Sequence, residues 1–187
     1  MLAARPLGLG PKLAKTAGLL GVLVVVVAGG PLVDAVLLAP AGTPVQVTPA
    51  VRLAPLGGWR LAATQQGGRP ALLTRGSGSL AVLSVATGVS QRELADAYVR
   101  EYLAPACANL VVTAPELVPL GRSRLARRFA YRGQFDGAER HGGLAGEVTT
   151  LVSPLGTGVV FDAWAEADVF PFERGDARAM VARAVVR

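Results

Sequence analysis

Cysteine and histidine are nearly absent from this 187-residue sequence, which contains one residue of each type, Cys107 and His141. One cysteine cannot form an internal disulfide, and one cysteine with one histidine falls short of a structural zinc site. We therefore predict no metal and no cofactor. Cys107 lies between two alanines and is predicted to be a small buried packing residue. His141 lies in an Arg-His-Gly-Gly sequence and is predicted to be a surface turn residue.

Aromatic residues and catalytic motifs are also scarce. Phe, Trp and Tyr make up 5% of the chain, so its core must be built mainly from Val, Leu and Ala. The sequence contains no G-x-S-x-G nucleophile elbow, because Gly76-Ser77-Gly78-Ser79 has a different spacing. These absences favour binding over catalysis, and we predict that the protein is not an enzyme.

Lysine is absent after Pro40, where 16 arginines and 12 acidic residues leave a net charge of +4. An excess of this size is typical of a soluble surface. The arginines are scattered and no nucleic-acid-binding motif accompanies them, so nucleic acid is excluded as a partner.

One long apolar stretch, residues 17–39, contains a single charged residue in 23 positions. A helix of that length spans a hydrocarbon core of about 30 Å. Arg5, Lys12 and Lys15 precede the stretch and no acid does, which predicts a cytoplasmic N-terminus. We predict a cytoplasmic segment over residues 1–16, a single-pass membrane anchor over 17–39, and an extracytoplasmic remainder.

A secretory signal peptide is the alternative interpretation of the same stretch. Residues 19–28 would then be its apolar core, and Ala39-Pro40-Ala41 resembles a small-x-small cleavage site. Cleavage there would release a secreted domain.

Residues 40–58 contain four prolines and one charge, and they predict an extended tether with a short strand at 45–47. The domain proper is predicted over residues 59–187. Alternating and continuous apolar patterns there predict antiparallel strands, the last three of them joined as hairpins. The predicted strands cover residues 59–64, 71–74, 80–86, 110–112, 116–120, 123–135, 147–153 and 159–166.

Two helices are predicted among these strands. Ser90 and Glu93 have the spacing of a capping box and begin a helix that Pro105 ends. Asp176 is predicted to cap a C-terminal helix with an apolar stripe through Ala177, Met180, Val181 and Ala184. The fold class is therefore α+β, with an antiparallel sheet.

Three carboxylates on the predicted hairpins are the candidates for chemistry. Asp162 and Glu166 lie on one strand face with Trp164 between them, and Glu147 lies on the neighbouring strand. Such a face can bind or cleave a glycan, but it can equally form salt bridges to arginines of an adjacent strand, which is the interpretation we favour.

Arg124, Arg128 and Arg132 recur on one face of the strand predicted over 123–135. As a binding patch they would attract an anionic lipid head group, a cell-wall polymer or an acidic protein. The alternative, which we favour, is an exposed strand face that is only solvated, or one that lies under the C-terminal helix with Asp or Glu partners. Arg127 falls on the other face among apolar residues and should be paired if it is buried, unless a β-bulge moves it outward.

The order of these elements resembles that of PsbP-like domains, including the LpqN-type extracytoplasmic proteins of actinobacteria. The resemblance rests on Gly58-Trp59, the helix beginning Ser90-Gln91-Arg92-Glu93-Leu94, Tyr131-Arg132-Gly133 and the closing helix. It implies an antiparallel sheet sandwiched by helices and a non-catalytic adaptor, and it assigns no site residue.

We therefore predict a membrane-anchored binding domain that docks to an envelope protein complex. The alternatives are a small envelope hydrolase acting on glycan or lipid, and a structural spacer that holds a partner near the bilayer.

Overall fold

The computed structural model describes residues 42–66, 68–120, 124–135 and 143–187, and its strands pair antiparallel throughout these ranges. The strands are β1 Val45–Thr48, β2 Val51–Leu53, β3 Arg60–Ala63, β4 Ala71–Arg75, β5 Gly78–Ala86, β6 Cys107–Val112, β7 Glu116–Leu120, β8 Arg124–Phe135, β9 Leu144–Val152, β10 Thr157–Glu166 and β11 Val185–Val186. The helices are α1 Gln91–Tyr98, a π-helical turn Val99–Leu103, the short α2 Ala104–Ala106, and α3 Phe170–Ala182.

The strands form a larger and a smaller sheet. The larger sheet has the order β3-β4-β5-β10-β9-β8-β6, and β7 pairs with β8 along the same edge as β6. The smaller sheet has the order β1-β2-β11. The predicted hairpins of β8, β9 and β10 are confirmed, because each consecutive pair is antiparallel. Strands β3, β4 and β5 also pair consecutively and antiparallel.

Helices cover the two faces of the larger sheet. Met180 of α3 packs in the same core cluster as Phe161 of β10, together with residues of the smaller sheet. Tyr98 of α1 packs in a second cluster that contains Trp164 of β10. Because successive strand residues alternate between faces, Phe161 lies on the α3 side and Trp164 on the α1 side. The expected sheet between helices is therefore present.

Helix α1 begins with the predicted capping box. The Glu93 amide donates to the Ser90 hydroxyl at 3.3 Å, and the Ser90 amide donates to the Glu93 carboxylate at 2.7 Å. This local motif satisfies two amides that the first helical turn leaves without partners.

Helix α3 begins earlier than predicted, at Phe170, with Pro171 in its first turn. Proline suits that position because the first turn has no need of its missing N–H. Asp176 therefore lies inside the helix, where its carboxylate binds Arg75 instead of capping. The predicted cap at Asp176 was wrong because a salt bridge to a distant strand engages that side chain.

Residues 42–58 do not form the predicted extended tether. Val47, Val51 and Leu53 are buried in the core cluster on the α3 side, and β2 lies between β1 and β11. The alternation of buried and exposed residues in Val-Arg-Leu is the pattern of a half-buried strand, and the prolines fall outside it. These residues pack as part of the folded body.

The predicted cytoplasmic segment and membrane anchor lie outside the described residues. Among the helices that the structure describes, none is long and apolar enough to span a membrane.

Candidate functional site

The three arginines of the predicted basic patch have different environments. Arg124 donates to the carbonyl of Val186 at 2.7 Å, which ties β8 to the last strand. Arg128 places its Nε 3.3 Å from the Glu147 carboxylate, and its side chain is mostly buried. Arg132 is exposed and has no hydrogen bond or ion pair with another described residue. Two of the three arginines are therefore engaged within the protein.

Glu147 is a buried carboxylate between two guanidinium groups. Arg178 of α3 binds it through both nitrogens, with Nε at 2.8 Å, and Arg128 approaches from β8. The hydrogen bond to Glu147 raises the pKa of Arg178. For Arg128, this cluster matches one of the alternatives that the sequence left open, in which the arginine face lies under the C-terminal helix with an acidic partner.

A small cavity adjoins this cluster beneath α3. Glu147, Thr149, Arg174 and Arg178 contribute to its lining, and its volume is about 10 Å³. A cavity of that size holds about one water molecule. It is therefore too small to bind a sugar ring or an acyl chain.

Asp162 is the most unusual ionisable group among the described residues. Its side chain is 1% exposed, and the hydroxyls of Tyr98 and Tyr131 donate to its two carboxylate oxygens at 2.7 and 2.9 Å. Burial raises the pKa of Asp162 to about 7, although both hydrogen bonds act in the opposite direction. Burial also raises the pKa values of Tyr98 and Tyr131 well above their ordinary range.

The expected salt bridge between Asp162 and the arginine face is wrong. Asp162 lies on the α1 side of the sheet, whereas Arg128 reaches the acid Glu147 on the α3 side. Trp164 is buried beside Asp162, and Glu166 is half-buried at the end of the strand. A buried Asp-Trp pair offers no surface to a glycan, so this face lacks the geometry of the hydrolase alternative. His141 lies outside the described residues.

Cys107 is buried, as its flanking alanines predicted. Burial raises the pKa of its thiol to about 11, and the negative charge of Asp162 adds to the shift. The protonated thiol is a poor nucleophile at neutral pH. Cys107 is therefore a packing residue next to the Asp162 cluster.

An exposed apolar surface lies where β7 pairs with the start of β8. Leu117 is opposite Arg127 and Pro119 is opposite Leu125, so all four side chains lie on one face of the sheet. Leu117 is 58% exposed and Leu125 is 61% exposed. We call these four residues the β7–β8 corner.

The β7–β8 corner contains a cation, Arg127, that has no partner among the described residues. Arg127 is half-buried and has no hydrogen bond or ion pair with another described residue. Gln91, at the start of α1, donates to the carbonyl of Leu125 at 3.0 Å, so the helix begins beside the corner without covering it. The corner can therefore present two leucines and a guanidinium to a partner.

The sequence did not predict this corner. The sequence pattern placed Arg127 among apolar residues on one face of this strand and left the burial of that face open. Phe129 and Tyr131 are buried, whereas Leu125 is exposed. The short β7 with its proline was the available signal, since proline favours an edge strand.

Comparison with known proteins identifies the fold. The chain is similar to LpqN of Mycobacterium tuberculosis, a protein involved in cell envelope biogenesis, with a TM-score of 0.55 and 13% identity over 77% of this chain and 89% of that one. It is also similar to CyanoP, the PsbP of Synechocystis sp. PCC 6803, with a TM-score of 0.53 and 13% identity over 84% and 100% of the two chains. The chain has a PsbP-like fold.

The PsbP-like fold agrees with the resemblance carried by the order of elements in the sequence. A scan against protein-family models and a search of curated proteins each found no match. At 13% identity the likeness extends to the fold, and function has to be argued from this chain's own residues.

Proposed function

We propose that this protein is a membrane-anchored, extracytoplasmic binding domain that docks onto a protein of the cell envelope without catalysing a reaction. The observation that carries the proposal is the β7–β8 corner. It exposes Leu117 and Leu125 around Arg127, which has no partner among the described residues, at the edge of the larger sheet. Exposed apolar groups that adjoin one another are a feature of interaction surfaces.

The placement of the acidic side chains supports binding over catalysis. Asp162 is buried under α1 with two tyrosine donors, and Glu147 is held between Arg128 and Arg178. A general acid or nucleophile must reach its substrate, and neither carboxylate does so here. The involvement of LpqN, which has the same fold, in cell envelope biogenesis supports the proposed location.

The chemistry of the corner supports a protein partner with apolar and acidic side chains. Leu117 and Leu125 call for apolar side chains, and the guanidinium of Arg127 calls for a carboxylate close to them. A protein surface carrying an acidic residue beside apolar ones meets all of these requirements. Arg124 and Arg128 are engaged internally, so Arg132 is the member of the predicted basic patch that remains available to an acidic partner.

Photo-crosslinking from the corner tests this function in cells of the protein's own species. A photoreactive amino acid at Leu117 should form a discrete adduct with an envelope protein, and the additional substitution Arg127→Glu should reduce its yield about tenfold by opposing the partner's carboxylate. The control places the same photoreactive group at Leu155, which is 84% exposed in the turn between β9 and β10.

Each outcome of this experiment decides the proposal. An adduct that depends on position 117 and on Arg127 supports a specific docking surface. Identical adducts from positions 117 and 155, or an adduct at 117 that Arg127→Glu leaves unchanged, would contradict it. Adducts with phospholipid alone would indicate that the corner binds lipid and would also overturn protein docking.

A further inference from the structure

Gly42 lies at one end of the folded body, beside the segment that leads into β3. Gly42 is the first described residue, and its amide donates to the carbonyl of Pro55 at 2.9 Å. The chain then turns at Leu56, whose carbonyl accepts from the amide of Trp59 at 3.0 Å. We call this region the Gly42 end.

The first turn of α3 lies at the Gly42 end as well. Arg75 donates to the carbonyl of Gly57 at 3.2 Å and to the Glu173 carboxylate at 2.9 Å. Its guanidinium also lies 5.2 Å from the ring centre of Trp59. Arg75 therefore fastens the start of α3 to the segment that follows Gly42.

Phe172 is exposed at this end. Its side chain is 81% exposed, and the preceding Pro171 is exposed too, although phenylalanine is usually buried. Contact of a whole aromatic ring with water is unfavourable compared with burial of the ring. A contact that removes this ring from water would therefore be stabilising.

The short distance in sequence between the predicted anchor and Gly42 suggests that the membrane surface covers Phe172. The predicted membrane anchor ends at Ala39, three residues before Gly42. Three extended residues span at most about 10 Å. An anchored protein must therefore keep the Gly42 end, and with it Phe172, close to the bilayer surface.

We propose that Pro171 and Phe172 insert into the interfacial layer of the membrane and hold the domain with its Gly42 end against the bilayer. This inference rests on the anchoring in the proposed function and adds an orientation to it. Aromatic and apolar side chains at the level of the head groups are the usual means of such shallow insertion.

The charges at the Gly42 end indicate that insertion is driven by apolar burial. Arg60 and Arg174 are exposed there, but so is Asp168. Glu173 and Asp176 are both bound to Arg75. Because cations and acids occur together, we expect membrane contact to depend weakly on salt and on anionic lipid.

This orientation places the docking surface away from the membrane. Arg127 of the β7–β8 corner pairs with Thr150, six residues along β9 from Leu144, which pairs with Glu166 shortly before α3. Six residues of a strand cover about 20 Å. The partner should therefore present its docking site about 20 Å beyond the point where Phe172 meets the lipid.

Site-specific fluorescence on the full chain in phosphatidylcholine vesicles tests the insertion. An NBD label is attached to Phe172→Cys or, as the matched control, to Leu155→Cys, because both native side chains are highly exposed. Cys107 is buried and its thiol stays protonated, so the label reacts with the introduced cysteine.

We expect lipid carrying a quencher near the head group to quench the label at position 172 about threefold more than the label at 155. Aqueous iodide should show the reverse preference. Raising the salt concentration from about 0.1 to about 0.5 M should leave both results nearly unchanged, since screening affects only charge-driven contact.

Vesicle flotation separates this inference from the function on which it rests. A full chain that fails to float with vesicles would overturn the proposed anchoring, and the orientation with it. A chain that floats, but whose label at 172 is as open to iodide as the label at 155, would overturn the insertion alone.

Discussion

At the scale of the residue, Asp162 shows how two opposing effects set an ionisation. Removal from water favours the neutral acid, whereas the hydroxyls of Tyr98 and Tyr131 favour the carboxylate. Burial prevails and raises the pKa of Asp162 to about 7. The two tyrosines come from α1 and β8, so the cluster joins the helical layer to the sheet.

The raised pKa predicts a pH-dependent stability. Between about pH 4 and pH 7 the folded protein retains the Asp162 proton, whereas the unfolded chain, with a pKa near 3.8, has released it. Stability therefore decreases as pH rises through this window, by ~4 kcal/mol at most for a shift of roughly three units. Urea denaturation of the wild type and of Asp162→Asn should show a free-energy difference that falls over this range.

Tyr131→Phe provides the control for this assignment. It removes a hydrogen bond that lowers the pKa of Asp162, so the pH window should extend to higher values than in the wild type. A difference between wild type and Asp162→Asn that stays constant from pH 4 to pH 8 would contradict the buried protonated acid.

At the scale of the element, the pairing of β8 with β9 depends on a close approach at Gly146. Gly146 is opposite Tyr131, whose ring occupies the space that a side chain would need. A Cβ added at Gly146 would lie 2.3 Å from the Tyr131 ring and 2.5 Å from its hydroxyl oxygen. The Tyr131 ring packs over this glycine, and the Tyr131 hydroxyl donates the hydrogen bond to Asp162.

Gly146→Ala should therefore destabilise the protein by about 1–3 kcal/mol, through overpacking at the β8–β9 ladder. The matched substitution is Gly175→Ala in α3, where an added Cβ meets nothing within 4 Å. That substitution should stabilise the protein by about 0.5–1 kcal/mol, because alanine is the better helix former. Thermal unfolding measures both changes, and equal effects at the two sites would contradict the structure.

The starts of the two long helices differ in how far the local sequence predicts them. The capping box of α1 involves residues three apart, so the sequence contained all of it. The start of α3 could not be placed in the same way. Asp176 has the chemistry of a cap, but Arg75, 101 residues away, binds it within the helix.

At the scale of the whole molecule, the smaller sheet joins the N-terminal part of the described chain to the last strand. β2 pairs with β11 near the C-terminus, and the amide of Arg187 donates to the carbonyl of Ala50 at 3.0 Å. Leu53 and Val51 are buried against α3 and the larger sheet. The segment rich in proline is therefore needed to complete the core on that side.

Leu53→Ala should consequently destabilise the protein by about 2–4 kcal/mol, the usual range for emptying a buried leucine site. Arg52→Ala is the control, because Arg52 precedes Leu53 on the same strand and its side chain is exposed. Denaturant unfolding of the full chain measures both. If Leu53→Ala cost no more than Arg52→Ala, residues 45–53 would be the loose tether that the prolines first indicated.

The sequence by itself determined the fold class, the hairpins of β8, β9 and β10, and the start of α1. These features follow from patterns of a few neighbouring residues, which hydrophobic periodicity and capping chemistry express directly. It also supports the membrane anchor, which stays a prediction because residues 17–39 lie outside the described part of the chain.

Only the tertiary structure decided the partners of the charged residues and the exposure of the apolar ones. Asp162 meets tyrosines instead of arginines, Arg128 meets Glu147, and Leu125 remains exposed. The physical reason is that partner and burial depend on which distant element packs above a strand. Residues far apart in the chain supply that element, and no local pattern records it.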